Sequence, residues 1–278
     1  MAKKIWLISN VYGDLEQENQ AMQNIMKWRF ESITEEKFER IGFARDCIQI
    51  PIIGSRTQKY QLITPSGLIL PYTKMVAKGC SILNHFDTIL KSKYELADDD
   101  LIIYFDGDGQ IDYNQTIKIA EKLETCDFVL SDRSENLGIS NERSLVEKFE
   151  NSFIEDKFSI ELSDVQCGCW GLSGKHLKKI FKMLNSEGFE IELDLTICSL
   201  EAGVAPLYVP ISVKPAVNSE FKANEDHLAK LLYLMKKFNI SQTTLIEKSM
   251  VFVRKHRELP NTYSKYFTYD VIHRVNKI

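Results

Sequence analysis

Hydrophobic residues fall along this chain in short runs of strand length, separated by longer stretches of mixed polarity. KIWLIS at 4–9 is the first run. CIQIPII at 47–53, β-branched and closed by Gly54 and Ser55, is the second. YQLITPSGLILPYT at 60–73 reads as a strand or hairpin around a Pro-Ser-Gly turn. LIIYF at 101–105 is a continuous apolar run, and DFVLSDR at 127–133 is another. Residues 15–40 read as a long helix. Apolar positions at helical spacing predict two more, over 74–96, closed by the acidic turn Asp98, Asp99, Asp100, and over 114–123. This alternation predicts an α/β fold with a mixed, mostly parallel central sheet flanked by helices. In such sheets ligands sit outside the carboxyl ends of strands, and Asp106 falls at the end of LIIYF.

Past Pro215 the pattern changes. HLAKLLYLMKKF at 227–238 and the stretch 243–257 read as amphipathic helices, and the chain ends in a Tyr-rich segment. The expected organisation is one domain over 1–215 and a helical C-terminal extension over 216–278. Charge follows the same division. The net charge is −4, yet from Lys222 onward eleven Lys and Arg stand against five Asp and Glu. A basic C-terminal part suits peripheral contact with anionic lipid, or with nucleic acid, and it equally describes a solvated helical surface.

With 278 residues, 44% of them hydrophobic and 27% charged, the chain has enough apolar surface for a full core. No apolar run approaches the roughly 20 residues that span a bilayer. The opening MAKKIWLISNVYGD reads as a first strand rather than a signal peptide. The expected location is the cytoplasm, with the inner membrane surface as its contact. Six cysteines are scattered, and the close pair Cys167 and Cys169 has no companion at zinc-ligand spacing, so reduced, buried thiols are expected.

The stretch that bears on chemistry is YFDGDGQIDYNQ at 104–115. As a calcium loop with Gly109 at its sixth position, it would place Tyr104 first and Gln115 twelfth, where an EF-hand needs carboxylates. It would also follow a strand rather than a helix. As a turn after a strand, Asp106-Gly-Asp108 presents two hard oxygen donors on one side, suited to Mg²⁺ or Mn²⁺ completed by diphosphate oxygens. A solvated acidic turn has the same composition.

The order FDGDGQIDY, VLSDR, DVQCGCWGLSG, GFEIELDLTICSLEAG and YVPISV resembles the family 2 glycosyltransferases of the GT-A fold. The likeness is greatest to polyprenyl-phosphate sugar transferases similar to dolichyl-phosphate mannose synthase, and it covers about 74–213. It implies a metal-dependent, inverting transfer from a nucleoside-diphosphate sugar. By this resemblance Asp106, Asp108 and Gln110 form the metal site, and Arg133 approaches the diphosphate. Lys78 falls in the segment that precedes the metal-site strand. Asp164 matches an acid near sugar and acceptor, and Asp194 matches the acid that opens the next helix, its rival for the role of general base. Tyr12 and Asp14 keep the tyrosine and acid of the family's first loop. Trp170 reads either as a wall of the acceptor pocket or as core.

The chain departs from the family at Ile52-Ile53-Gly54-Ser55, where the acid that reads the nucleobase is missing, so UDP-type and GDP-type donors both stay open. After VPISV, the segment Lys214-Pro215-Ala216-Val217-Asn218-Ser219 lacks the family's Arg and Gly-x-Ser. The acceptor is therefore open among glycan, lipid-linked sugar, polyprenyl phosphate and modified nucleic acid. Two alternatives stand beside this reading. A sugar-nucleotide nucleotidyltransferase would open with a Gly-rich loop, which SNVYGDLEQ does not offer. A non-enzymatic calcium-binding or scaffold protein would use DGDGQIDY as a structural metal loop.

Overall fold

The computed structural model describes residues 4–10, 48–55, 72–74, 77–92, 95–107, 110–111, 115–133, 141–214 and 223–255. Tyr12, Asp14, Asp108, the helix expected over 15–40 and the Pro-Ser-Gly turn lie outside them. The chain forms two compact units, one of residues 1–138 with 163–217 and one of residues 139–162 with 218–278.

The first unit is built on seven strands: β1 (Lys4–Asn10), β2 (Ile48–Ser55), β3 (Tyr72–Lys74), β4 (Leu101–Asp106), β5 (Phe128–Asp132), β6 (Cys169–Ser173) and β7 (Leu207–Pro210). Among the described residues they make one sheet in the order β3-β2-β1-β4-β6-β5-β7. Only β6 runs antiparallel to its neighbours β4 and β5; the other pairings are parallel. This is the mixed, mostly parallel sheet that the apolar runs predict. β1 lies between β2 and β4, so the connections leave it in opposite directions. The carboxyl ends of β1 and β4, where Asn10 pairs with Asp106, are thus a topological switch point.

The central strands β1, β4 and β6 are buried on both faces, which is why β1 and β4 read as continuous apolar runs. Side-chain alternation sends Ile5, Leu7, Leu101, Ile103 and Phe105 to one face, where α2 (Gln115–Leu123) packs with Ile119, Ala120 and Leu123. Trp6, Ile8, Ile102 and Tyr104 go to the other. There they meet α1 (Lys78–Leu90), a later short helix, Gly174–Ile180, and the helix Ile191–Glu201. Phe86 and Trp170 are wholly buried on that face, with rings 5.9 Å apart and edge to face. Truncating Phe86 to Ala would cost about 3–5 kcal/mol. Asp100 ties the opposite end of the sheet, accepting from the Lys4 N–H at 2.8 Å, the Ala97 N–H at 2.8 Å and the Trp6 indole N–H at 3.4 Å.

The second unit is helical. Among the described residues it contains α3 (Asn141–Phe158), α6 (Ala223–Phe238) and α7 (Gln242–Lys255), with α4 (Gly174–Ile180) and α5 (Ile191–Glu201) belonging to the first unit. Phe149 of α3 packs against Phe153 and against Phe252 of α7. Buried Glu150 accepts from His227 Nδ1 at 2.8 Å and faces the Lys230 ammonium at 3.8 Å. Lys248 pairs with Asp156 and lies 4.1 Å over the Phe153 ring. None of the described helices is long and apolar enough to cross a membrane.

Candidate active site

Asp106 is the last residue of β4, delivered to the switch point by a strand whose other side chains are nearly all buried. Its backbone N–H donates to the Gly168 carbonyl at 2.8 Å, and Gly107 donates to the Asn10 carbonyl at 2.8 Å. Gly168 has φ +67°, and a Cβ there would collide with Asp106 Oδ2. Glycine is therefore required twice, for its left-handed backbone and for the close approach to the carboxylate. The strand that leads into this turn also removes the helix-loop-helix frame an EF-hand needs.

Three side chains meet the Asp106 carboxylate or its neighbour. The Tyr104 hydroxyl donates to Oδ1 at 2.5 Å. The Lys78 ammonium lies 3.1 Å from Oδ1 and 3.2 Å from Oδ2. The same ammonium lies 3.2 Å from Glu192 Oε1 and 5.5 Å over the Tyr104 ring, which stacks on Trp170 at 4.8 Å. Burial pushes the Glu192 carboxyl above its ordinary range, an effect the Lys78 charge opposes. Lys78 and Glu192 are both buried, whereas the Asp106 side chain stays 31% exposed.

Each residue at the start of α1 holds this arrangement. Lys78 supplies the ammonium. Gly79 lets the helix touch the Ser186 carbonyl, where any Cβ would collide. The Cys80 N–H donates to the Glu187 carbonyl at 3.0 Å. The Ser81 hydroxyl donates to Asn10 Oδ1 at 2.6 Å, and His85 Nε2 lies 2.9 Å from the same oxygen. His85 is fully buried, which lowers its pKa to about 3 and keeps the ring neutral.

A second cluster lies beyond the end of β5. The Arg133 guanidinium grips Asp164, Nε to Oδ2 at 2.5 Å and Nη2 to Oδ1 at 2.8 Å, and the Arg133 backbone N–H donates to Oδ2 at 3.2 Å. Arg133 and Asp164 are both over nine-tenths buried. The Ser163 hydroxyl meets Asp132 at 2.6 Å, closing the same loop onto β5.

The remaining sequence-derived candidates fall elsewhere. Asp194 is wholly buried; Oδ2 accepts from the backbone N–H groups of Asn185 and Ser186 at 2.8 and 3.0 Å, and Oδ1 from the Cys198 thiol at 3.3 Å. It therefore anchors the loop that leads into α5. Gln110 donates to the Lys214 carbonyl at 3.3 Å, and Lys214 donates back to the Gln110 carbonyl at 2.8 Å. Trp170 is core. Cys167 and Cys169 are buried free thiols, with Cys167 pushed up to about 12 by that burial, as inert cysteines are.

Sequence reasoning missed Glu192. It and Asp194 stand two apart in GFEIELDL, so they point to different sides of one helix, and the acid nearer Lys78 is not the one the family pattern marks. Two acids alternating with apolar residues in one first turn, IELD, were the available signal.

The donor chemistry fits a hard divalent cation. Two side-chain donors, the Tyr104 hydroxyl and the Lys78 ammonium, meet the Asp106 carboxylate, which takes roughly four hydrogen bonds and stays partly exposed at a strand end. No group of three or more His, Cys, Asp or Glu able to hold a metal occurs among the described residues; Asp108 lies outside them.

No protein-family model matches the chain, and no curated protein matches its sequence. Solved structures do match. Glucosyl-3-phosphoglycerate synthase from Mycobacterium tuberculosis in complex with UDP superposes with a TM-score of 0.57 at 10% identity, over 86% of this chain and 82% of that one. The same enzyme with Mn²⁺, UDP-glucose and phosphoglyceric acid gives 0.57 at 10%, over 86% and 81%. With Mn²⁺, UDP-glucose and glycerol 3-phosphate it gives 0.58 at 10%, over 86% and 82%. The fold is that of the GT-A glycosyltransferases. In this GT-A fold, Asp106, Lys78 and Glu192 occupy the switch point, with the Arg133–Asp164 pair beyond the end of β5.

Proposed function

We propose that this protein is a metal-dependent glycosyltransferase that moves a sugar from a nucleoside-diphosphate sugar to an acceptor oxygen. The observation that carries this reading is the outward-facing Asp106 carboxylate, fixed at the switch point of a GT-A sheet beside the Lys78 ammonium. A UDP-type donor is favoured over GDP, because the structural neighbours were solved with UDP or UDP-glucose and Mn²⁺ or Mg²⁺. Asp106 and Asp108, with Gln110, would hold the cation, which neutralises charge on the departing diphosphate.

The chain's own residues do the rest. Lys78 supplies positive charge at the diphosphate side. Arg133 has the planar fork that suits phosphate oxygens, and it is held ready by Asp164. Asp164 takes the proton of an acceptor hydroxyl in an inverting displacement. Where the acceptor is already a phosphate, Asp164 only orients it. Asp194, bound to backbone amides, holds the loop before α5 rather than the proton. By the resemblance, Tyr12 and Asp14 belong to the loop expected to meet the donor; both lie outside the described residues.

The finer likeness is to the polyprenyl-phosphate sugar transferases, supported by the order of FDGDGQIDY, VLSDR and DVQCGCWGLSG. The neighbours' acceptors, phosphoglyceric acid and glycerol 3-phosphate, point to the same chemistry, a phosphate-bearing acceptor. The reaction is proposed to take place in the cytoplasm, with the basic C-terminal part touching an anionic membrane surface when the acceptor is lipid-linked.

The test is release of UDP from UDP-glucose and other UDP-sugars, with Mn²⁺, in the presence of glycerol 3-phosphate, phosphoglyceric acid or polyprenyl phosphate. Metal-dependent UDP release that rises with one acceptor supports the reading. Absence of release from every UDP- and GDP-sugar, by folded protein, removes it.

A further inference from the structure

Lys78 stands where a folded protein gains least from a cation. It is the first residue of α1, so its charge lies at the positive end of the helix dipole, and its side chain is only 5% exposed. Both features disfavour an ammonium, and local conflicts of this kind collect at functional sites. What holds it is a pair of carboxylates of different character. Asp106 offers both oxygens at 3.1 and 3.2 Å and is partly open, and buried Glu192 offers one at 3.2 Å from the other side. The ammonium therefore covers both oxygens of the residue proposed to bind the cation, and it is held at the same time by a second carboxylate that would keep it if Asp106 were taken.

We propose that Lys78 is a resident counter-ion that makes cation binding at Asp106 depend on the donor. Without a nucleoside diphosphate, the ammonium neutralises Asp106 and competes with Mn²⁺ or Mg²⁺ for its oxygens. When the diphosphate arrives, its charge draws the ammonium away from Asp106, with Glu192 holding the other side, and the carboxylate is released to the cation. Metal and donor then bind together and leave together. This rests on reading Asp106 as a metal ligand. It goes beyond that reading by assigning Lys78 and Glu192 as the positioning residues that couple the two ligands.

The coupling is testable without turnover. The double variant Lys78→Met with Glu192→Gln removes one positive and one negative charge, so the summed charge of the trio with Asp106 is unchanged. Any change in Mn²⁺ affinity then reflects the lost contact rather than the local field. Mn²⁺ binding would be measured by electron paramagnetic resonance of the free ion, with and without UDP, after circular dichroism has confirmed the fold. Wild type should bind Mn²⁺ weakly alone and much more tightly with UDP. The double variant should bind Mn²⁺ alone on the order of tenfold more tightly, and UDP should strengthen it by correspondingly less, since coupling is reciprocal. Should the double variant fail to fold, Glu192→Asp alone serves, since it keeps the local charge and withdraws the carboxylate from Lys78. The ammonium is then left to Asp106, so Mn²⁺ alone should bind more weakly than to wild type, and unchanged affinity would overturn the proposal.

If wild type binds Mn²⁺ with UDP but the folded double variant gains nothing alone, the counter-ion role is overturned and the transferase reading stands. If neither protein binds Mn²⁺ with or without UDP, both are overturned.

Discussion

Arg133 holds Asp164 through two parallel hydrogen bonds, 2.5 Å from Nε to Oδ2 and 2.8 Å from Nη2 to Oδ1, in a buried pair. The arginine proposed to approach the diphosphate and the acid proposed to serve the acceptor are thus partners of each other. On that proposal, a guanidinium that turned to phosphate oxygens would loosen the carboxylate.

Removing one partner strands the other in a buried place. Arg133→Met is expected to destabilise the protein by about 3–5 kcal/mol. Asp164→Asn, which keeps an acceptor for the guanidinium, should cost less. Urea denaturation gives both values. In the same Asp164→Asn protein, UDP should still raise the melting temperature while turnover falls by about two orders of magnitude or more. Loss of UDP binding as well would remove Asp164 from the role of base.

Asp194 separates from Asp164 by a different signature. Asp194→Asn leaves the Asn185 and Ser186 amides with a weaker acceptor, so it should lower stability by about 1–3 kcal/mol and reduce turnover only as far as the loop before α5 loosens. A fully stable Asp194→Asn protein with no turnover would transfer the base to Asp194.

How much of this was readable in advance differs by element. β1, β4 and β5 were legible because strands buried on both faces are apolar throughout, β2 because its run is β-branched and closed by Gly54 and Ser55, and the spacing of 227–238 gave α6 directly. Helix α3 was not read, although Val146, Phe149, Phe153 and Ile154 recur at helical spacing. It joins the unit that resumes at 218, and a contiguous division such as 1–215 and 216–278 has no way to show that. At the site, Asp106 and Lys78 came from motif order. Glu192, Asn10 and Tyr104 did not, because their roles depend on which side of an element faces Lys78 or α1. The pairing of Arg133 with Asp164 is likewise a fact of loop geometry, invisible in two separate motifs.

Gly168→Ala tests the approach of the backbone to the carboxylate proposed to hold the cation. The substitution places a Cβ against Asp106 Oδ2 at a φ of +67°. It should cost at least about 1–2 kcal/mol and displace Asp106, so Mn²⁺-dependent UDP binding should be lost beyond what the stability change explains. Calorimetric titration of UDP with and without Mn²⁺ would show it.

Two buried histidines give the protein an acid limit. Burial lowers the pKa of His85 to about 3 and that of His176 to about 4, against an ordinary 6.5. The unfolded chain therefore binds more protons than the folded one below pH 6.5. Their contribution is full above that pH and is lost as the pH falls towards 4, by about 2 kcal/mol each at pH 5. His176→Gln should flatten the dependence of the urea midpoint between pH 7 and 5, and an unchanged slope would contradict the buried neutral ring.

On the proposed function, the turn after β4 binds a nucleoside diphosphate through a cation. Asp108→Asn should accordingly abolish turnover with the fold intact. The most direct measurement is a thermal-shift panel of UDP, GDP, CDP, dTDP and ADP, each with and without Mn²⁺, since a ligand of the folded state alone raises the melting temperature. The expected result is a rise with UDP that requires Mn²⁺ and is absent in Asp106→Asn. A rise with Ca²⁺ alone, and none with any nucleotide, would contradict it.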